Sequence, residues 1–463
     1  MTLWKPDATF YPSPKMAMEA PAEKIAYVAG LNCGRNDRPD ALLVVDVDPE
    51  SKTYGKEVGR LEMPVAGDEL HHFGWNACSS ALCPYAPHPH LERRYLIVPG
   101  LRSSRIYVID TKDDPRKPTI HRILEPEQVM KRSGYSRPHT VHCGPDAIYM
   151  SALSSADGKG PGGVFMLDHF NFDVVGPWEI DRGDQRLAYD FWWHLAQDTM
   201  VTSEWGMPAQ FEKGLVFEEL LAGKYGHNLH FWDLRRRKLT QTCNIGDKQQ
   251  LVFEIRPAHD PRKTYGFVGV VISLEDLSSS IWAWNQKGDR WEVKKVITIP
   301  AQPAEADELP PPLKGFKAAA PLVTDIDLSL DDKFLYVSCW GTGELHQYDV
   351  SDPFNPKLTG TVEIGGMVRK KGHPKSGPLL GGPQMVEISR DGRRVYFTSS
   401  LYSSVDGQFY PDQLTGWMAK ADVDANGGMK LDPNFFLETG DLRLHQVRLE
   451  GGDSSTDTFC YSS

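Results

Sequence analysis

One composite unit recurs along this chain and limits its folds more than any other feature. A run of apolar and β-branched residues is followed by a turn, then by a second such run that ends at Asp or Asn. The pairs span Ile25 to Asp46, Tyr95 to Asp110, Ala147 to Asp168, Thr199 to Asp233, Gly266 to Asn285, Phe334 to Asp349 and Val395 to Asp422. Their terminal residues follow one another at intervals of 52 to 73 residues. Runs such as Leu42-Leu-Val-Val45 and Tyr95-Leu-Ile-Val98 have the length and composition of strands, so each pair reads as a hairpin.

Each period leaves room for two more strands, with candidates at Pro118–Leu124 and Trp291–Ile299. Four-stranded antiparallel units repeated radially protect their sheet edges by closing a ring. The expectation is therefore an all-β chain, a seven-bladed β-propeller with short helical insertions, forming one domain over 1–463. About the first 20 residues form an arm. Leu215–Gly223 is apolar at helical spacing and ends in glycine, which predicts a short helix, and Glu125–Lys131 predicts a helical turn. The proline-rich stretch 301–321 reads as an ordered excursion, and the glycine-rich, basic stretch 365–384 as a mobile loop over one face.

Composition narrows the partners. The net charge of -11 argues against nucleic acid or an anionic membrane. The one basic run, Arg235–Lys238, falls at an expected turn and reads as solvated. No stretch approaches a membrane span, and the N-terminus lacks the pattern of a secretory signal, so the cytoplasm is the expected compartment, or the periplasm if a leader has been trimmed. The seven scattered cysteines suggest no disulfide framework.

Chemistry-bearing residues are densest in Asp68-Glu-Leu-His-His72 and the following Phe73 to Cys78. Neighbouring side chains on a strand point to opposite faces, so His71 and His72 share a cavity only if the backbone there is irregular. Inner strands of a propeller line its channel, where residues distant in sequence converge. His139 and His142 come about one period later, three apart, a spacing that an alternating strand would split. His445 lies where the chain returns to close the ring. Imidazole suits copper, zinc, iron and nickel, and sulfur shifts the choice towards Cu(I) or zinc. His71, His72, His139, His142 and His445, with Cys78, are the cluster to test. His227 and His230 are weaker candidates for the channel. His88 and His90 are expected to be exposed, and His121, His169, His259, His346 and His373 to be surface or strand residues. Asp422–Gly427 begins like a calcium loop, but Pro433 stands at the twelfth position, so a hairpin with an Asn-Gly turn fits better. Gly158–Gly163 resembles a phosphate loop but leads into a strand, and no Gly-x-Ser-x-Gly signature is present.

The segments Asp68–Ser80, Ser103–Val108, His139–Cys143, Tyr189–Trp192, Ser203–Trp205, Leu328–Asp332, Gln347–Pro353, Gly381–Met385, Ser400–Ser403 and Gly451–Asp453 resemble, in order, those of the selenium-binding protein family. The resemblance implies a methanethiol oxidase, an oxidoreductase that converts methanethiol, O2 and water to formaldehyde, hydrogen sulfide and hydrogen peroxide. It also implies copper held by histidines, which fall on His71, His72, His139, His142 and His445, with His71 and His72 catalytic. The family's selenium-binding cysteine falls on Cys78. The alternative reading is a non-catalytic selenium- or thiol-binding protein acting through Cys78. Two departures stand out. The family's Cys-Ser-Ser-Cys is here Cys78-Ser-Ser-Ala-Leu-Cys83, and a histidine expected at position 228 is replaced by Asn228, next to His227.

Overall fold

The structure is a computed structural model that describes residues 5–32, 38–412, 414–440 and 442–462. The seven hairpins form as expected. Each supplies the two middle strands of a four-stranded antiparallel sheet, and seven such sheets make a seven-bladed propeller. Register is direct: Ile25 pairs with Asp46, Tyr95 with Asp110, Thr199 with Asp233 and Phe334 with Asp349.

Position in the blade explains the sequence pattern. The inner and middle strands are covered on both faces by neighbouring blades, so Pro39–Asp46 and Tyr265–Ser273 read as nearly continuous apolar runs and are almost wholly buried. The outermost strand faces solvent on one side, and Lys238–Asn244 alternates between exposed and half-buried residues. Both additional strands are present, at Thr119–Leu124 and Arg290–Ile299.

The first blade is built from both ends of the chain. Its three outer strands, Ile25–Leu31, Pro39–Asp46 and Glu57–Ala66, are completed by the C-terminal strand Arg443–Leu449, which pairs antiparallel with Ile25–Leu31. That closure removes the free edges of an open sheet. The N-terminal residues pack down: Phe10 joins Ala77, Ala81 and Leu91, and Ala17 joins Leu330 and Phe459.

Helices form at Pro126–Ser133, which runs two residues past the predicted Glu125–Lys131, and at Phe217–Leu221, inside the predicted Leu215–Gly223. The first is stopped by Gly134 at φ 76°, a conformation glycine adopts without steric cost. The excursion 301–321 carries the short ladder Gln302–Pro303 with Ala318–Ala319. The loop 365–384, read from sequence as mobile, is anchored: Met367 is buried among the apolar residues of the insertions, and Gly365 exchanges backbone hydrogen bonds with Lys371. Asp422–Gly427 runs into the hairpin that sequence reasoning favoured: its turn, from Asp424 to Gly428, joins Gly416–Val423 to Met429–Thr439.

A further expectation is corrected. Cys83 and Cys460, 377 residues apart in sequence, form a disulfide. Their separation hid the pair, because only ring closure brings the C-terminal segment beside the second blade. Among the described residues, no helix is long and apolar enough to cross a membrane.

Candidate metal centre

The inner strands of the first three blades converge on a group of buried imidazoles. His71 and His72 precede the short inner strand Gly74–Trp75 of the second blade. The backbone there is irregular, as two adjacent inward histidines require: Glu69 has φ 57°, and Leu70 makes only an isolated bridge to Gly100. The stretch is pinned from below, since Asp40 accepts the Leu70 amide at 2.8 Å and Gln446 accepts the Phe73 amide at 2.5 Å. The carboxylates beside the histidines are engaged elsewhere. Asp68 accepts from Arg105 at 2.6 Å and from Tyr107, and Glu69 accepts from the Ser403 amide and hydroxyl.

His139 lies in the third blade's inner strand, Tyr135–Cys143, where the register slips between Pro138 and Val141. This bulge re-aims His139, a common use of bulges beside functional sites. Its ring centroid lies 4.1 Å from that of His72 and 5.0 Å from that of His71. His445, on the closing strand, stacks on His71 with centroids 3.8 Å apart. Nitrogens of His71, His72 and His445 all lie within 4.8 Å of one another, a spacing that allows a shared metal ion.

These nitrogens are unpaired. Both of His71 and Nε2 of His72, His139 and His445 are buried without a hydrogen-bond partner within the protein. A buried polar atom left unpaired costs about 1–3 kcal/mol, so five around one point describe a site built for a ligand. Burial, followed by the neighbouring imidazoles, holds His71 and His72 well below the usual histidine range, and burial brings His445 down to about 3. The rings are therefore neutral, the state in which imidazole binds metals. His445 is oriented by its other nitrogen: Nδ1 lies 2.6 Å from the Ser400 carbonyl. A carbonyl only accepts, so Nδ1 carries the proton and Nε2 keeps its lone pair for the site. Gln446 Nε2 lies 3.4 Å from His72 Nδ1.

His142 is in a different place. It follows the bulge, in regular pairing with Tyr149, and its ring packs on Trp192 with centroids 4.1 Å apart. Its Nε2 lies 4.0 Å from Asp190, and Arg448 and Arg256 add to the burial that lowers its pKa. It belongs to a layer of charged residues beneath the imidazoles. His230 pairs with Glu204 at 2.8 Å and with Thr242, and His227 with the Tyr225 carbonyl, all outside the cluster.

Sequence reasoning missed Glu254, on the fifth blade's inner strand Gln249–Pro257. Its Oε1 lies 3.5 Å from His72 Nε2 and has no hydrogen-bond partner. Burial, then Asp190 and Asp325, push its carboxyl well above the usual range. The signal was available: Glu254 and Arg256 are charges two apart in a wholly buried strand. Tyr189 and Tyr402 complete the walls, with centroids 4.3 Å from His139 and 6.2 Å from His71. Both belong to an apolar cluster with Trp205 and Phe211 that the insertions build.

Cys78 is not part of this group. Its Sγ lies 3.2 Å from the Cys143 carbonyl and 3.1 Å from Ser80 Oγ. Burial and then Asp457 work to raise its pKa, but hydrogen bonding to the Cys143 side chain and to the Ser80 hydroxyl and amide outweighs them, and the thiol sits below its usual range.

Known proteins resemble the chain over nearly its whole length. The family described as 56kDa selenium binding protein (SBP56) matches residues 4–460. A methanethiol oxidase of Xenopus laevis is 41% identical, covering 96% of this chain and 97% of the relative. The human methanethiol oxidase is 40% identical over the same shares, and selenium-binding protein 3 of Arabidopsis thaliana is 38% identical, covering 96% of each. The X-ray structure of a hypothetical selenium-binding protein from Sulfolobus tokodaii superposes with a TM-score of 0.96 at 58% identity, covering 98% of this chain and 100% of that one. By profile, sequence and superposition, the chain belongs to the 56 kDa selenium-binding protein family.

Proposed function

We propose that this protein is a methanethiol oxidase that turns methanethiol, O2 and water into formaldehyde, hydrogen sulfide and hydrogen peroxide at a copper ion held by His71, His72, His139 and His445. One observation carries the reading: partnerless, neutral imidazole nitrogens converge in a chain whose relatives bear that name. A donor set of imidazoles alone suits copper. Bound there, copper would supply a soft site for the substrate sulfur and a one-electron couple towards O2.

The protein's own residues set the conditions. His445 is locked in one tautomer by Ser400. Glu254, whose carboxyl burial and its acidic neighbours push well above the usual range, faces His72 from the wall of the site. Tyr189, Tyr402, Trp205 and Phe211 give the site an apolar border that suits a methyl thiol and limits stray water. We place the protein in the cytoplasm. The disulfide makes that assignment testable, because the thiols of a reducing compartment would open a bond that they can reach.

Copper-loaded protein should release peroxide and sulfide in proportion to methanethiol added. Stoichiometric copper with neither product would refute the oxidase. A second reading, selenium or thiol binding at Cys78, draws on its lowered pKa. Cys78→Ser separates the two: loss of selenium binding with turnover retained assigns the cysteine to binding and not to catalysis.

A further inference from the structure

We propose that the Cys83–Cys460 disulfide is a thiol-exchange site whose opening by a small organic thiol releases the C-terminal segment and uncovers the buried cysteines Cys78 and Cys143. The inference is independent of the histidine centre and of any metal.

The disulfide can be reached. Both cysteines are half-buried, and they form part of the wall of an open surface cavity of about 790 Å³. Tyr85, Tyr149, Met166, Trp178, Trp193 and Leu195 give that cavity an apolar, aromatic wall able to take a small organic thiol, with Asp146, Asp198, Arg235 and Arg237 also in its lining.

The bond also fastens something. Residues 451–462 form no helix or strand and are held by side chains. Asp457 accepts the Ser79 amide at 2.8 Å and Arg93 Nη2 at 2.7 Å. Thr458 Oγ1 accepts the indole N–H groups of Trp192 and Trp193 at 3.0 and 3.1 Å. The Ser454 carbonyl accepts from His259 Nε2 at 2.8 Å. This irregular segment lies directly on the residue that follows Cys78. A segment with no ladder of its own, fixed near its end by a covalent bond, loses its strongest restraint when that bond opens.

What lies beneath is reactive in kind. Cys78 and Cys143 are only 1% and 2% exposed, yet the Cys78 thiol sits below its usual pKa while burial and then Cys78 push the Cys143 thiol well above it.

The exchange balances. A thiolate R–S⁻ attacks one sulfur of the disulfide and forms an R–S–S–Cys bond. The Cys83–Cys460 bond breaks, and its electron pair leaves on the other cysteine as thiolate, which takes up the proton the attacking thiol gave off. A second R–SH resolves the mixed disulfide to R–S–S–R and two cysteine thiols, a two-electron reduction of the protein with the thiol as reductant.

The test uses the full-length protein, 2-mercaptoethanol as the thiol, and N-ethylmaleimide labelling mapped by peptide mass spectrometry under native conditions. A mixed disulfide should appear on Cys83 or Cys460. Labelling of Cys78 should accelerate by at least about tenfold, the factor expected when local opening becomes easier by ~1.4 kcal/mol. Cys460→Ser should give the same acceleration without added thiol. Thr458→Val, which keeps the disulfide, should give a smaller one. The proposal is overturned if native protein resists exchange at Cys83–Cys460, or if exchange proceeds while Cys78 and Cys143 label no faster.

Discussion

Two layers of the channel use the same inner strands and solve the problem of buried polarity in opposite ways. In the histidine layer, His71, His72, His139 and His445 stand close together with nitrogens that no protein group satisfies. In the layer beneath, Arg256 reaches Asp190, Glu254, Asp325 and Asp327 at 3.3 to 3.5 Å, and Arg448 binds Glu387 at 2.6 Å and Ser455 at 2.7 Å. The charged layer pairs most of its charges internally and reads as a fastener between blades four, five, six, seven and one. The histidine layer is incomplete and reads as a receptor. Glu254 stands at the junction, with one oxygen towards Arg256 and the other, unpaired, towards His72.

If the contrast is right, the two layers respond differently to mutation. Arg256→Met removes the cation from four buried carboxylates and should lower unfolding stability by about 3–5 kcal/mol near neutral pH. The loss should shrink in acid, where the carboxyls take up protons. Chemical denaturation at two pH values reads both effects, and an unaffected stability would dissolve the fastener.

His71→Leu should do the reverse. It deletes two partnerless nitrogens, so the metal-free protein should be no less stable, while copper content collapses and turnover falls by more than about 100-fold. Denaturation, metal analysis and peroxide release report this, and a strongly destabilised metal-free variant would mean that the ring is structural.

The layers also titrate with opposite sign. A histidine with a depressed folded pKa leaves the unfolded chain binding more protons below about 6.5, so its contribution is full above that pH and is lost as the pH falls. Asp325, raised to about 7, and Asp453, raised to about 6, bind more protons when folded, so their contribution is lost as the pH rises through those values. In metal-free protein, His445→Leu should therefore flatten the acid-side loss by about 1.4 kcal/mol per pH unit between pH 6 and 4. Urea midpoints across that range would expose an unchanged slope.

The smallest effect is expected at Gln446→Leu, which leaves the ring nitrogens in place and loosens only the support of His72 and Phe73. Copper affinity should fall by about tenfold with the fold intact, as read by competition with a chelator.

Much of this was legible in the chain. The seven hairpins and the helical insertions follow from local pattern, because strand pairing within a hairpin is a short-range event and the apolar runs report burial on both faces. The short reach of local pattern is also why Cys83–Cys460 and the pairing of Cys78 with Cys143 were invisible: each joins residues that no local pattern connects. The adjacent pair His71 and His72 announced irregular backbone, and the bend at Glu69 supplies it.

By itself the sequence determined the architecture and nominated the right kind of residue, because periodicity and residue chemistry are written locally. Only the tertiary structure decided which of these side chains stand together. His139 and His142 are equivalent candidates on the page, yet a bulge turns one to the imidazoles and regular pairing leaves the other against Trp192 among the charges. Glu254 arrives from the fifth blade because ring closure sets inner strands of distant blades across one narrow channel, a geometry that no spacing along the chain encodes.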